Sequence, residues 1–216
     1  MNFRSEAYST ILKVLKDKEY SDSLLHQRAR KLKNAGEDPA LFYNLVKGVI
    51  KLYLKLDYIL QQYVDKKKFE STDIKIKTLL YMGLYQLLYL NSIPEHAAVN
   101  ETVELAKTLF NEQVADFVNA VLRSYLRNPE VNYPQDPVLR IAYEHSFSPE
   151  LIQQWLNLWG EENTEYLAMF FNENPELHIR VNNTATTPEK LKAYFAKRNI
   201  VITPSPASPM MFHTPQ

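Results

Sequence analysis

The stretch SIPEHAAVNETVELAK, residues 92–107, gathers His96, Asn100, Glu101 and Glu104 near the start of a helix. An imidazole, an amide and two carboxylates so close together could ligate a metal, run acid–base chemistry, or simply satisfy a helix start. A helical zinc site places a second His four residues after the first. Here that position is Asn100, a poor ligand, and no other His lies nearby in sequence. Triad chemistry needs partners that this spacing does not supply. Glu95 and His96 fall in the first turn after Pro94, where carboxylates and polar side chains stabilise exposed N–H groups. The expectation is a structural role for His96, Asn100 and Glu101, with His96 and Asn100 adding stability through a cap or a half-buried hydrogen bond.

Two further polar patterns could do work. Asn119 and Arg123 stand four apart on one face, among Phe117, Val118, Val121 and Leu122. A partly buried amide needs hydrogen-bond partners, so the pair is expected to be a polar clamp tying helices together. Lys47, Lys51 and Lys55 stand at i, i+4 and i+8, on one face of a third helix. Like charges at that spacing work against the helix. Arg28, Arg30, Lys31 and Lys33 form a second basic cluster, and Arg4 adds another point. Cations along a groove suit phosphates; a merely solvated lysine face is the competing reading.

The elements that must position these residues are mostly helices. Ala7, Ile11, Leu12 and Leu15 share one face of a first helix, and SDSLLHQRARKL reads as a second. Asp38 and Pro39 give a cap and a first-turn proline for the third, whose apolar positions are Phe42, Leu45, Val46, Val49 and Tyr53. LDYILQQYV reads as a separate helix after a bend near Leu56. Ser71 is expected to cap TDIKIKTLLYMGLYQLLYL, which is apolar nearly all round and so belongs at a bundle centre. With the 92–107 helix and NEQVADFVNAVLRSYL, seven helices make an all-α bundle over residues 1–128.

Three prolines in residues 127–137 mark a boundary. Asp136-Pro137 and Ser148-Pro149 then open helices in a linker, 129–174, where Gly160 ends PELIQQWLNLW. After Pro175, ELHIRVN alternates as a strand, EKLKAYFAKRN is a helix and IVITP a second strand. Two strands and a Pro-rich tail cannot bury a sheet face alone. Residues 175–216 therefore read as the start of a small α/β subdomain.

Composition narrows the chemistry. Cysteine is absent, which removes disulfides, thiolate metal sites and cysteine nucleophiles. The four Gly, at 36, 48, 83 and 160, never cluster, so no nucleotide-binding Gly-rich loop exists. With no cysteine, and Asn100 where a second His would be needed, no metal site is expected. Residues 1–128 hold 19 Lys and Arg against 15 Asp and Glu, and residues 129–216 hold 6 against 10. A basic first half is a mild hint of nucleic acid there, with random scatter of surface charge as the competing reading. MNFRSEAYST lacks the apolar run of a signal peptide, and TLLYMGLYQLLYL is too short to span a membrane. A cytoplasmic protein is expected.

The residues IPEHAAVNETVELAK and FVNAVLR, preceded by LVKGVIKLYLKLDYIL, resemble the NusB-like region at the N-terminus of RsmB/Sun-type ribosomal RNA (cytosine-5) methyltransferases. EHSFSPELIQQWLNLWGEENTEYLAMFFNENPELHIRVN resembles that family's linker helices and next strand. The resemblance implies a bundle that binds small-subunit ribosomal RNA, through Arg4, Arg28, Arg30, Lys47, Lys51 and Lys55 if the basic surface carries it. It implies S-adenosylmethionine as cofactor of the full-length enzyme, with none held by this chain, which is expected to be non-catalytic and to precede an absent methyltransferase domain. A stand-alone NusB-like antitermination adaptor, or a helical protein–protein module using the bundle to hold a partner, remain open readings.

Overall fold

The structure, a computed structural model, describes residues 2–19, 21–37, 39–173, 176–206 and 208–214, the side chains of Ser21 and Ser23 excepted. Asp38, expected to cap the third helix, and Pro175 lie outside the described residues. Two compact units are present, Met1–Glu165 and Tyr166–Gln216.

The first unit contains α1 (Phe3–Asp17), α2 (Ser21–Asn34), α3 (Pro39–Lys51), α4 (Tyr53–Gln61), α5 (Lys66–Ser71), α6 (Ile74–Tyr89), α7 (Glu95–Leu109), α8 (Glu112–Arg127), α9 (Pro137–His145) and most of α10 (Pro149–Asn172). The organising element is α6. Thr78 to Leu84 are buried without a break, and α1, α3, α4, α7 and α8 all pack on it. The all-round apolar pattern predicted this central place. Phe42, Leu45, Val46 and Val49 of α3, Ile11 of α1, and Val118, Val121 and Leu122 of α8 complete the same core.

Local chemistry explains the ends. Asn2, Asp65, Asp73, Asn111 and Asp136 each accept a hydrogen bond from a first-turn amide of the helix they open. Pro137 at the first position of α9 fits its missing N–H. Several expectations are corrected. Ser71 is the last residue of α5, and Asp73 is the cap of α6. Helix α5 makes an eighth helix before residue 128, one that KKKFES is too short to announce by periodicity. The bend expected at Leu56 lies at Leu52, while Leu56 is fully buried inside α4. Helix α10 is interrupted at Gly160, whose φ of 75° and ψ of 176° only glycine adopts readily.

The proline-marked stretch after α8 is bound to α4. Tyr63 donates to the carbonyls of Asn128 and Glu130, and Tyr58 to that of Asn132. Gln62 accepts from the Asn132 amide. The Tyr58 ring stacks on Tyr133 at 5.6 Å and on Tyr143 at 4.4 Å. The Ser146 hydroxyl then accepts the Leu54 and Lys55 amides, so a residue just past α9 caps the start of α4. Arg140 joins α9 to α10 through a two-pronged pair with Glu165 at 2.7 and 2.8 Å, and through Glu161 at 3.0 Å.

The second unit holds β1 (His178–Arg180), α11 (Pro188–Ala196), β2 (Thr203–Ser205) and β3 (Ser208–His213) in an antiparallel sheet of order β1-β3-β2. The Pro-rich tail is thus the central strand, which corrects the reading of two strands with a loose end. Phe212 opposes Ile179 in β1 and Pro204 in β2, and buries with Val181 and Ile202 under Leu191 and Phe195 of α11. Pro204 sits in an edge strand beside an irregularity, and Pro209 stands in neither strand register, so neither proline breaks the ladder.

Gly48 of α3 lies directly against the Tyr85 ring of α6, and a Cβ there would clash with the Cζ, Cε2 and hydroxyl of that side chain. Alanine should gain about 1 kcal/mol of helix propensity at an ordinary glycine. Here overpacking, about 1–3 kcal/mol, should win. Gly48→Ala is therefore expected to lower the urea midpoint, and adding Tyr85→Leu should restore part of the loss. A Gly48→Ala midpoint at or above that of the parent chain would show that Tyr85 can leave α3 freely.

Candidate nucleic-acid interface

The six expected RNA-binding residues separate by burial. The Arg4 side chain is only 12% exposed. Its Nε donates to Gln86 Oε1 at 2.9 Å, its Nη1 lies 3.4 Å from Glu101, and its guanidinium covers the Phe3 ring. Burial lowers its pKa, partly offset by Glu101, but a guanidinium stays charged. Arg28 pairs with Glu6 at 2.6 Å and donates to Ser9, joining α2 to α1. Both arginines are committed to the bundle interior, and this removes them from a free basic surface.

Lys55 does not continue the α3 stripe. The helix breaks at Leu52, and Lys55 is half-buried on α4, where burial lowers its pKa and Glu144 partly offsets that. Arg30, Lys47 and Lys51 are the members left exposed. Burial also lowers the Lys51 pKa. Arg30 is one turn from His26 on α2, and Lys47 is one turn from Tyr43 on the adjacent α3. The Tyr43 hydroxyl is 3.3 Å from His26 Nδ1, and Lys47 Nζ is 5.9 Å from the Tyr43 ring centre. His26, Gln27, Arg30 and Lys31 line a shallow groove beside it. The patch is therefore basic with aromatic groups interleaved, the composition that suits nucleic acid. His26 and Tyr43 escape a search by charge alone. Their spacing held the signal: His26 with Arg30, and Tyr43 with Lys47 and Lys51, are four-residue ladders on two neighbouring helices.

The polar residues of the 92–107 helix have different fates. His96 and Asn100 are exposed, and among the described residues neither side chain makes a hydrogen bond. Pro94 stands at the N-cap of α7 without side-chain capping, so the cap expected of His96 is not formed. Glu101 receives Arg4. Thr102, passed over in sequence, is buried and meets Gln86 Nε2 at 3.4 Å while donating to the Ala98 carbonyl at 2.7 Å. The Asn119–Arg123 bond, 2.8 Å, stays within the exposed face of α8 and ties no two helices together.

Glu144, His145 and Glu165 come close enough to hold a cation. Arg140 already occupies both carboxylates, and its hydrogen bonds to Glu165 hold that carboxyl below the usual glutamate range. The group is an ion-pair network joining α9 and α10.

Arg4→Met should cost about 1–3 kcal/mol, because it leaves the buried Gln86 carbonyl without its donor. Glu101→Gln should cost less, since that carboxylate is 49% exposed and screened. Urea denaturation of both checks this. An unchanged Arg4→Met midpoint with weakened RNA binding would return Arg4 to the interface.

Comparison with known proteins places the chain. Residues 1–127 match the model of the NusB family, and residues 149–213 match that of the "Methyltr_RsmF/B-like, ferredoxin-like domain". The probable ribosomal RNA small subunit methyltransferase B of Bacillus subtilis (strain 168) is 31% identical over 201 residues, covering 92% of this chain and 44% of the relative. The corresponding Synechocystis protein is 28% identical, covering 93% and 45%. The chain thus spans a little under half the length of these curated relatives. The crystal structure of PH0851 superposes with a TM-score of 0.64 at 11% identity, over 98% of this chain and 48% of that one, a likeness of fold. The order of matched segments is the one that the quoted motifs implied, and the chain belongs to the NusB family across its first 127 residues, followed by a ferredoxin-like domain of the RsmF/B-like type.

Proposed function

We propose that this chain is the RNA-binding and positioning region of a small-subunit ribosomal RNA 5-methylcytosine methyltransferase. The observation that carries the reading is the succession of a NusB-family segment and an RsmF/B-like ferredoxin-like domain, in a chain matched over 92–93% of its length by relatives named as small-subunit ribosomal RNA methyltransferases. Methyl transfer from S-adenosylmethionine is assigned to residues beyond these 216, since the chain offers neither a cysteine nor a Gly-rich cofactor loop. A domain division at 128 and 174 remains our proposal for the functional parts. The cytoplasm is the proposed compartment; among the described residues no helix is long and apolar enough to cross a membrane. A stand-alone adaptor is the weaker reading, because the ferredoxin-like segment has no place in it.

Within this reading RNA lies on the α2–α3 surface, with Arg30, Lys47 and Lys51 on phosphates. Arg4 and Arg28 support it from inside. Affinity for a small-subunit RNA fragment should fall as salt rises, with a log–log slope of about 0.7 to 0.9 per phosphate neutralised. Replacing Arg30, Lys47 and Lys51 together by Gln should flatten that slope by about two to three units. Lys55→Gln should leave it unchanged. A salt titration of the three proteins decides the matter: an unchanged slope in the triple variant would make the patch a solvated face and remove RNA from it.

A further inference from the structure

The geometry around Tyr43 points to a base-stacking platform: we propose that Tyr43 receives the face of an unpaired RNA base, between Arg30 and Lys47, which take the flanking phosphates. The inference rests on the RNA-binding reading and adds a specificity-determining residue to it.

Three observations converge. The Tyr43 ring is held in place, meeting Phe42 at 5.9 Å and 65° and His26 at 6.3 Å and 68°, with its hydroxyl 3.3 Å from His26 Nδ1. A ring fixed in this way loses little freedom when a base settles on it. Secondly, the ring is only partly buried, and the cation lying over it is the ammonium of an exposed lysine, Lys47, at 5.9 Å from the ring centre. That ammonium can swing aside toward a phosphate while a base replaces it over the ring. Thirdly, the surroundings carry positive charge. Arg30 lies one turn beyond His26 on α2, is exposed, and makes no ion pair with a described residue. Lys31 shares its groove.

Phosphate contacts alone treat single strands and duplexes by charge density, whereas a stacking platform needs a base out of its helix. Base–aromatic stacking tolerates any sequence because every base has a π-face. The platform therefore selects unpaired RNA without reading its letters, and leaves the choice of nucleotide to other parts of an enzyme.

The test uses the full 216-residue chain with an unstructured single-stranded RNA of about 12 nucleotides and a blunt duplex of the same length. Anisotropy titrations compare the parent chain with Tyr43→Ala, Tyr43→Leu, Tyr43→Phe and the Arg30→Gln/Lys47→Gln pair, after circular dichroism has shown each folded. Tyr43→Leu keeps apolar bulk against Phe42, so it reports on stacking even where Tyr43→Ala fails to fold. Losing the ring should weaken single-strand binding about five- to hundredfold. Duplex affinity and salt slope should stay as in the parent. Tyr43→Phe should bind like the parent, since the face and not the hydroxyl does the work. The paired Gln variant should weaken both RNAs. If Tyr43→Leu weakens neither RNA, or both equally, while the Gln pair still weakens them, the platform is wrong and the phosphate surface stands. If the Gln pair also leaves binding unchanged, the RNA reading of this surface fails as well.

Discussion

A helix that is apolar on every side must be wrapped by others, and α6 sets that demand for the whole bundle. Its enclosure by α1, α3, α4, α7 and α8 brings Gln86 into the interior near its end, 1% exposed. A buried amide left without partners costs about 1–3 kcal/mol. Gln86 is satisfied from three sides: its own turn at Met82, Thr102 of α7, and Arg4 of α1. Arg4 in turn meets Glu101. Thr102 of α7, and Glu101 through Arg4, thus answer a need created by α6. The carboxylate in that motif serves packing, and the His beside it, exposed on the first turn, takes no part in the cluster.

Burial also divides the basic residues by type. The two arginines of the first unit that face inward, Arg4 and Arg28, use the planar fork to meet several acceptors at once, which a lysine cannot do. Arg140 does the same for three carboxylates around α9 and α10. Lysines stay largely outside, where a hydrated ammonium on a flexible stem can track a phosphate. A count of positive charge therefore overstates the surface available to nucleic acid. Once the interior guanidiniums are set aside, Arg30, Lys47 and Lys51 are the members of the expected set that face outward, on α2 and α3.

How much of this was legible depended on the range of the interaction concerned. The central place of α6, the Asp136 cap of the proline-opened α9 and the helix α11 follow from local pattern, and the structure has them, whereas Asp73 and not Ser71 caps α6. The quoted motifs carried the family. Helix α5 escaped because six residues hold too little periodicity. Strand β3 escaped because the Pro-rich tail reads as a breaker, while the harmlessness of Pro209 depends on a register set by β1 and β2. The lysine stripe is interrupted at Leu52, where φ of −103° and ψ of 16° separate α3 from α4, and Lys55 lies half-buried on α4. The cap that secures the new helix comes from Ser146, more than ninety residues later. Asn119 and Arg123 were read as bridging helices because their neighbours are apolar, yet the apolar residues turn inward and the pair turns out.

The same long-range contacts bear on the field around the candidate interface. Acidic residues outnumber basic ones after residue 128, and spread evenly they would weaken any basic patch on the first unit. Three of them lie together in the first unit. Tyr58, Gln62 and Tyr63 hold the stretch after α8 against α4, and Ser146 holds the end of α9 there. This gathers Glu144, Glu161 and Glu165 around Arg140, with Lys55 close to Glu144. Charges neutralised within a few ångströms contribute little beyond the Debye length, about 8 Å at physiological salt. Lys55, lost to the stripe, thus helps cancel the acids that would otherwise oppose it. Lys55 and Arg140 both face Glu144, so the half-buried lysine belongs to a locally balanced group of charges on α4, α9 and α10.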